Sequence, residues 1–389
     1  MNTTVPPVPS AESVYLDHHA STPLEPSVLN AMRPWLERGY GNASNTLHGH
    51  GIEARTAIEW ARVQVASLIN ATLGEIIFTS GATEANNMAL FGSMDAIERP
   101  GVLVISTLEH ESVTQPAHQL ARRGHTLLRI SGDKDGLIDP GDVEAALKNH
   151  RVTLLSIIAV QGEIGTINPI PELTRLGHKY GALVHTDAAQ AVGKVPVDVE
   201  EWEVDYLTIA AHKMYGPKGV GALYKKREAP IEPLLYGAGH EQGLRPGTEN
   251  VPYLVGFGQA CVLAMDDLEQ EMRRQRDLRD FLWQTLQEHI PEIRLNGHSE
   301  RRHPGNLHLS LKDVQSLDLL KALPGYALSV GSACHSANPM ENPLIQSLNI
   351  PEEYARGSIR IGLGRSNTRQ QIEQFAFDFK EAYHKISQV

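Results

Sequence analysis

Cysteine is scarce in this chain: two thiols, Cys261 and Cys334, among 389 residues. So few cannot build a disulfide framework, and no CxxC pair is present to suggest zinc. Positive charge is also short, with 35 Lys and Arg against 46 Asp and Glu and a net charge of −11. That balance argues against a nucleic-acid or anionic-membrane surface. Long apolar runs are missing too; "LLSIIAV" at 154–160 is far too short to cross a bilayer. The first residues, "MNTTVPPVPSAES", lack the basic segment and apolar core of a signal peptide and read as a frayed lead-in. Low-complexity tracts and internal repeats are absent. The 18 histidines are scattered, "HH" at 18–19 and "HGH" at 48–50 being the nearest to clusters, without carboxylates or thiols at ligand spacing. The expectation is a cytoplasmic globular protein with no metal site and no nucleic-acid or membrane partner.

What is present is enough apolar sequence for more than one core: 41% hydrophobic residues over a length that suggests two domains. From about 52 to 226 helix and strand patterns alternate. Amphipathic "IEARTAIEWARVQVASLIN" leads to strand "EIIFTS", and the series continues through "GVLVIS", "HTLLRI", "VTLLSIIAV", "ALVHTD", "VDYLTIAA" and "GVGALYKK". The middle strands are apolar throughout, as expected for strands covered on both faces. This predicts an α/β domain with a large, mostly parallel sheet. A Gly-rich, charged loop, "LLYGAGHEQGLRPGTENVP", interrupts the rhythm, and a long helix follows from about 251 to 290. The last hundred residues read as shorter strands and a final helix. The expected division is a large domain at 15–260 and a smaller α+β domain from 1–14 and 261–389.

Ligands on parallel sheets collect beyond the carboxyl ends of the strands. There "IIFTS" runs into Gly81-Ala82-Thr83, a helix start suited to phosphate. "VLVIS" leads to His110, "ALVHTD" ends in Asp187, and "YLTIAA" delivers His212 and Lys213. "GPKGVG" fits neither nucleotide-loop spacing. A phosphate-ready helix start, an imidazole, a semi-buried carboxylate and a lysine together suit pyridoxal 5′-phosphate, which has a phosphate, a flat ring, a basic ring nitrogen and an aldehyde. Cys261, in "VGFGQACVLAM", reads as a buried small hydrophobe. Cys334 differs, because its flanks in "GSACHSANP" are small and polar.

The motifs "YLDHHASTPLEPSVLNAM", "GNASNTLHGHG", "IIFTSGATEANN", "EHES", "VHTDAAQAVGKVPVDVEEWEVDYLTIAAHKMYGPKGVGALY", "RPGTENVP", "GSACHS" and "SIRIGLGRSNT" occur in the order found in NifS/IscS-type cysteine desulfurases. The chain resembles this group of class V aminotransferases from about residue 14 to 385. The "SVGSACHS" loop and "GRSNTR" are also similar to selenocysteine lyases. The resemblance implies a fold type I pyridoxal-phosphate enzyme, a homodimer, and cofactor sites completed across the dimer interface. Carried over, Lys213 holds the cofactor and shuttles the α-proton, Asp187 pairs with the pyridine nitrogen, and Gln190 bonds the ring hydroxyl. His110 stacks on the ring. Ala82, Thr83 and His212 bind phosphate, with Thr248 from the partner subunit. Arg360 clamps the substrate carboxylate, assisted by Asn42. Cys334, on a loop at about 330–356, attacks the sulfur of L-cysteine, releases L-alanine and keeps a persulfide for a sulfur acceptor such as a scaffold or a SufE-like carrier. A thiolate is required, and His335 or the cofactor's charge favours it.

The chain departs from the family pattern at three places. Gln161-Gly162 precede Glu163-Ile164-Gly165 where the family usually has Asn-Asn. Ala210 replaces a phosphate-site Ser, with Thr208 as the expected substitute. Glu111 stands where many desulfurases carry Lys, a feature shared with selenocysteine lyases. The alternatives are therefore a selenocysteine lyase acting on L-selenocysteine, a class V transaminase or β-lyase, and a catalytically weak cofactor-binding protein.

Overall fold

Val, Ile and Leu fill both faces of the central strands, and this decides the architecture: a sheet so apolar must be covered on two sides. The computed structural model describes residues 13–97, 100–330 and 343–387. Its strands run in chain order as β1 (Val14–Tyr15), β2 (Ile76–Thr79), β3 (Val102–Ser106), β4 (Thr126–Ile130), β5 (Val152–Ser156), β6 (Leu183–Asp187), β7 (Tyr206–Ala210) and β8 (Gly221–Lys225). Shorter strands follow: β9 (Ile293–Leu295), β10 (Asn306–Leu311), β11 (Tyr326–Ala327), β12 (Ser329–Val330) and β13 (Ser358–Gly362).

Seven strands form the large sheet in the order β2-β8-β7-β6-β5-β3-β4. β3 to β7 pair in parallel, and only β8 runs antiparallel, to both β2 and β7. All five residues of β7 and of β8 are buried. The smaller sheet, β12-β13-β10-β9, is antiparallel, and the two-residue β1 pairs with β11. The expected α/β class and mostly parallel sheet are borne out.

The long helix is Val251–His289, 39 residues, with Pro252 in its first turn where a missing N–H costs nothing. Its first half buries Val251, Leu254, Phe257 and Cys261 in the core of the large sheet. Its second half buries Leu278, Leu282 and Leu286 in the core of the small sheet, with Phe375 and Phe379 of the final helix. The division expected at 260/261 thus falls inside one continuous helix. Cys261 is fully buried, and burial pushes its thiol up, as befits packing rather than chemistry. The longest helix to escape the sequence reading among the described residues is Pro26–Glu37, whose internal Pro34 disguises the pattern. Among the described residues no helix is long and apolar enough to cross a membrane.

β2 is an edge strand, and its outer side is closed by an ion pair. Arg62 Nη1 donates to the Ile76 carbonyl (2.8 Å) and the Phe78 N–H donates to Glu241 Oε2 (2.8 Å). The two side chains hold each other by bonds of 2.8 and 2.7 Å. They occupy the ladder positions a further strand would otherwise take.

Candidate active site

The carboxyl ends of β2, β3, β5, β6 and β7 open into a cavity of about 1000 Å³. Ala82, Thr83, His110, Asp187, Gln190, His212, Lys213 and Arg360 all line it. At its phosphate-ready end, Gly81 has φ 148°, a backbone region that side chains rarely adopt, and hands over to the helix Ala82–Asp95. The first-turn amides of that helix have no partner one turn earlier, so they are available to an anion. Glu84 Oε2 accepts from the Ser80 N–H and Oε1 from Arg245, fastening this turn to the Gly-rich loop.

A tight turn of Ala211–Lys213 after β7 presents His212 and Lys213 side by side. Lys213 Nζ donates to the carbonyls of His19 (2.7 Å) and Ala20 (2.9 Å). Burial, reinforced by the positive charge of Arg360, brings its amine down to about 8. Burial and the neighbouring lysines lower His212 to about 4, and its Nδ1 lies 3.2 Å from Ser21 Oγ. An uncharged His212 can still offer one N–H to a phosphate oxygen.

Asp187 ends β6 and is 3% exposed. Its Oδ1 accepts from the Ala189 N–H (3.0 Å) and its Oδ2 from Asn86 Nδ2 (2.7 Å). Gln190 donates to the His19 carbonyl (2.8 Å) and accepts from Lys194. Burial and the charges of Lys213 and Arg360 bring Lys194 to about 7. His110 caps the helix Glu111–Arg122, its Nδ1 accepting from the Ser112 N–H at 3.1 Å. Arg360, on β13 of the small sheet, reaches Asp17 (3.0 Å), Ser329 (3.1 Å) and the Gly162 carbonyl (3.3 Å). Its Nε is buried without a partner among the described residues, a donor left for an incoming acceptor.

Three expected residues are not brought into the cavity. Thr208 is fully buried, and its hydroxyl lies 3.2 Å from His185 Nε2 in the next strand. Depth along the strand explains this: the two-residue period puts Thr208 on the same face as Ala210, but two positions back from the carboxyl end of β7. Its expected use as a phosphate hydroxyl does not fit this geometry. Asn42 is exposed and its Oδ1 accepts from the Ser44 N–H. Thr248 is exposed in the Gly-rich loop. Neither lines the cavity of a single chain. Cys334 and His335 lie outside the described residues, which resume with the helix Pro343–Ser347.

The structure adds groups that sequence reasoning missed. Glu109 lines the cavity beside His110; its Oε1 accepts from Ser106 Oγ (2.6 Å) and the Ile158 N–H (2.8 Å). Its Oε2 is buried and unpartnered among the described residues, and burial pushes the carboxyl up to about 8, with Asp187 adding to the rise. Asn86 and Ser112 stand behind the site. "EHES" and "ATEANN" held both, but only the fold brings them together.

This set fits pyridoxal phosphate: amides and a neutral imidazole for the phosphate, a carboxylate in the floor, an imidazole in the wall, and an amine of depressed basicity. Comparison with known proteins points the same way. The class V aminotransferase family model matches residues 14–375. The cysteine desulfurase IscS of Dictyoglomus turgidum is 42% identical over 362 residues, covering 92% of this chain and 91% of that protein. Among solved structures, a NifS-like protein superposes with a TM-score of 0.89 at 32% identity, over 96% of this chain and 100% of its own. A structure described as SspA in complex with cysteine gives a TM-score of 0.78 at 30% identity, over 90% and 98%. This chain belongs to the class V aminotransferase family, within its NifS/IscS cysteine desulfurase group.

Proposed function

We propose that this protein is a pyridoxal-phosphate-dependent cysteine desulfurase that converts L-cysteine and its own Cys334 thiol into L-alanine and a Cys334 persulfide. The observation that carries the reading is the convergence of Lys213, Asp187, His110 and Arg360 on one cavity in a chain of this family. When bound, the cofactor's pyridinium ring supplies an electron sink for charge developing at the substrate α-carbon.

The residues divide the remaining tasks. Lys213 anchors the cofactor through Nζ. Its amine, brought to about 8, both accepts and returns a proton near neutral pH. Asp187 would hold the ring nitrogen and favour its protonated form, Gln190 would serve the ring hydroxyl, and His110 would hold the ring. Ala82, Thr83 and His212 hold the phosphate. Arg360, fixed by Asp17 and Ser329, receives the substrate carboxylate on its remaining donors. Cys334 Sγ attacks the substrate sulfur, whose bond to carbon breaks with its electron pair going to carbon. Protonation there gives alanine.

The reading includes a homodimer in which Thr248 and Asn42 complete a second copy's site. Exposed Tyr40, Leu47 and Tyr236 support it, as does the open depression of about 640 Å³ lined by Ala43, Ser44, His240 and Glu249. It also includes the two-domain division, supported by an apolar cluster of its own about the small sheet, a cytoplasmic setting in which a free thiol stays reduced, and an acceptor such as a scaffold or a SufE-like carrier.

A second reading, selenocysteine lyase, is favoured by Glu111, which lines the cavity where a lysine is usual. One experiment separates them. The purified protein is given L-cysteine or L-selenocysteine, alanine is measured, and mass spectrometry locates the residue that gains sulfur. Desulfurase activity gives alanine from cysteine, sulfur on Cys334, and loss of both in Cys334→Ser. Alanine from selenocysteine alone, undiminished in Cys334→Ser, rejects the desulfurase in favour of the lyase.

A further inference from the structure

Four side chains form a hydrogen-bonded series from the floor of the cavity to its wall. Asn86 Nδ2 donates to Asp187 Oδ2 at 2.7 Å and to Ser112 Oγ at 2.8 Å. Ser112 Oγ lies 2.7 Å from His110 Nδ1, and the Ser112 backbone N–H donates to the same nitrogen at 3.1 Å. Asn86 is fully buried and Ser112 nearly so.

Donor counting fixes the direction of every bond. A backbone N–H cannot reverse, so His110 Nδ1 carries a lone pair. Both protons of Asn86 Nδ2 go to acceptors, one of them Ser112 Oγ, which leaves the serine proton to point at His110. Turning the Asn86 amide over would press its oxygen against the Asp187 carboxylate. The neutral imidazole therefore keeps its proton on Nε2, the ring nitrogen left for the cavity.

We propose that Asn86 and Ser112 are positioning residues that, anchored on Asp187, lock His110 in the tautomer protonated at Nε2 and so make it a proton donor toward the cavity. The inference rests on the reading of His110 as facing the cofactor. It leaves the proton that Lys213 accepts and returns to that amine and makes His110 a donor only, a distinction that a freely tautomerising histidine would blur.

The test uses the cofactor-loaded protein with ¹⁵N-labelled histidine, its ring nitrogens read by long-range proton–nitrogen correlation and the His110 signals assigned by their absence in His110→Gln. The wild type is expected to show an unprotonated Nδ1 and a protonated Nε2. Asn86→Ala and Ser112→Ala leave the 3.1 Å backbone contact as the one fixed donor to Nδ1, so the tautomer protonated at Nδ1 gains population and alanine release slows about tenfold, the effect of ~1.4 kcal/mol. Ser112→Thr keeps the hydroxyl and restores both readouts. A proton on Nδ1 in the wild type, or an unchanged ring in both alanine variants, overturns the proposal. The cofactor absorption band separates the underlying reading: it shifts in His110→Gln if the imidazole lies on the ring and stays if it does not, whatever the tautomer.

Discussion

Replacing Arg360 should change the chemistry of a lysine on another element. Lys213 has an ordinary value of 10.5 and is held at about 8, first by burial and then by the charge of Arg360, with Asp187 and Asp17 opposing. At pH 7.5 an amine at 10.5 is neutral roughly 0.1% of the time, and one at about 8 roughly a quarter of the time, so the nucleophilic fraction rises ~200-fold. Arg360→Gln removes a repelling charge and also frees Asp17, whose negative charge favours the ammonium form; both effects move the amine upward. The assay is competitive acylation of lysines in cofactor-free protein between pH 6 and 11, with Lys213 followed by peptide mass spectrometry. In the wild type its labelling should climb about tenfold per pH unit and level off near 8. In Arg360→Gln the plateau should come at higher pH. Labelling still climbing at pH 10 in the wild type, or a plateau moved downward in the variant, would refute the reasoning.

Three further outcomes follow from other groups. Glu109 keeps its proton in the fold while the unfolded chain loses it from 4.5 upward. Its contribution to stability is therefore full below 4.5, falls by up to ~1.4 kcal/mol per pH unit, and is gone above about 8. Glu109→Gln should flatten that slope in melting temperatures taken from pH 5 to 8. Glu241→Ala strands the Phe78 N–H and leaves the buried Arg62 charge to the half-exposed Glu59 at 3.4 Å, costing ~3 kcal/mol and lowering the melting temperature by on the order of 5 °C. The Arg62→Met/Glu241→Met double variant should recover part of that loss at the same protein concentration. At Gly162 a Cβ would meet Gln190 at 3.5 Å, an ordinary contact, and the backbone lies outside the left-handed region. Gly162→Asn, which approaches the family pattern, should leave the melting point within ~2 °C and tighten cofactor binding measured by absorbance titration.

The α/β alternation was legible because strands buried on two faces carry uninterrupted Val, Ile and Leu, and strand ends then located His110, Asp187 and Lys213. The helix Pro26–Glu37 was not, because Pro34 inside it imitates a turn. Asn86 and Ser112 escaped because their partners are 101 and 26 residues away in sequence, distances at which no local pattern operates. Thr208 misled for a different reason. It is expected to replace the hydroxyl missing at Ala210, but it lies two positions deeper along β7, where its hydroxyl meets His185. Asn42 and Thr248 are exposed and stand outside the cavity, so their motifs gave no position for them within one chain.

The helix Val251–His289 is about 58 Å long at 1.5 Å per residue and is embedded in both apolar cores. A clamshell motion between the two sheets would have to bend that strut or extract one end of it from its packing. Arg360 and Lys213 therefore stay in register whether or not a guest is present. The scaffold that carries the two groups thus behaves as a rigid jig.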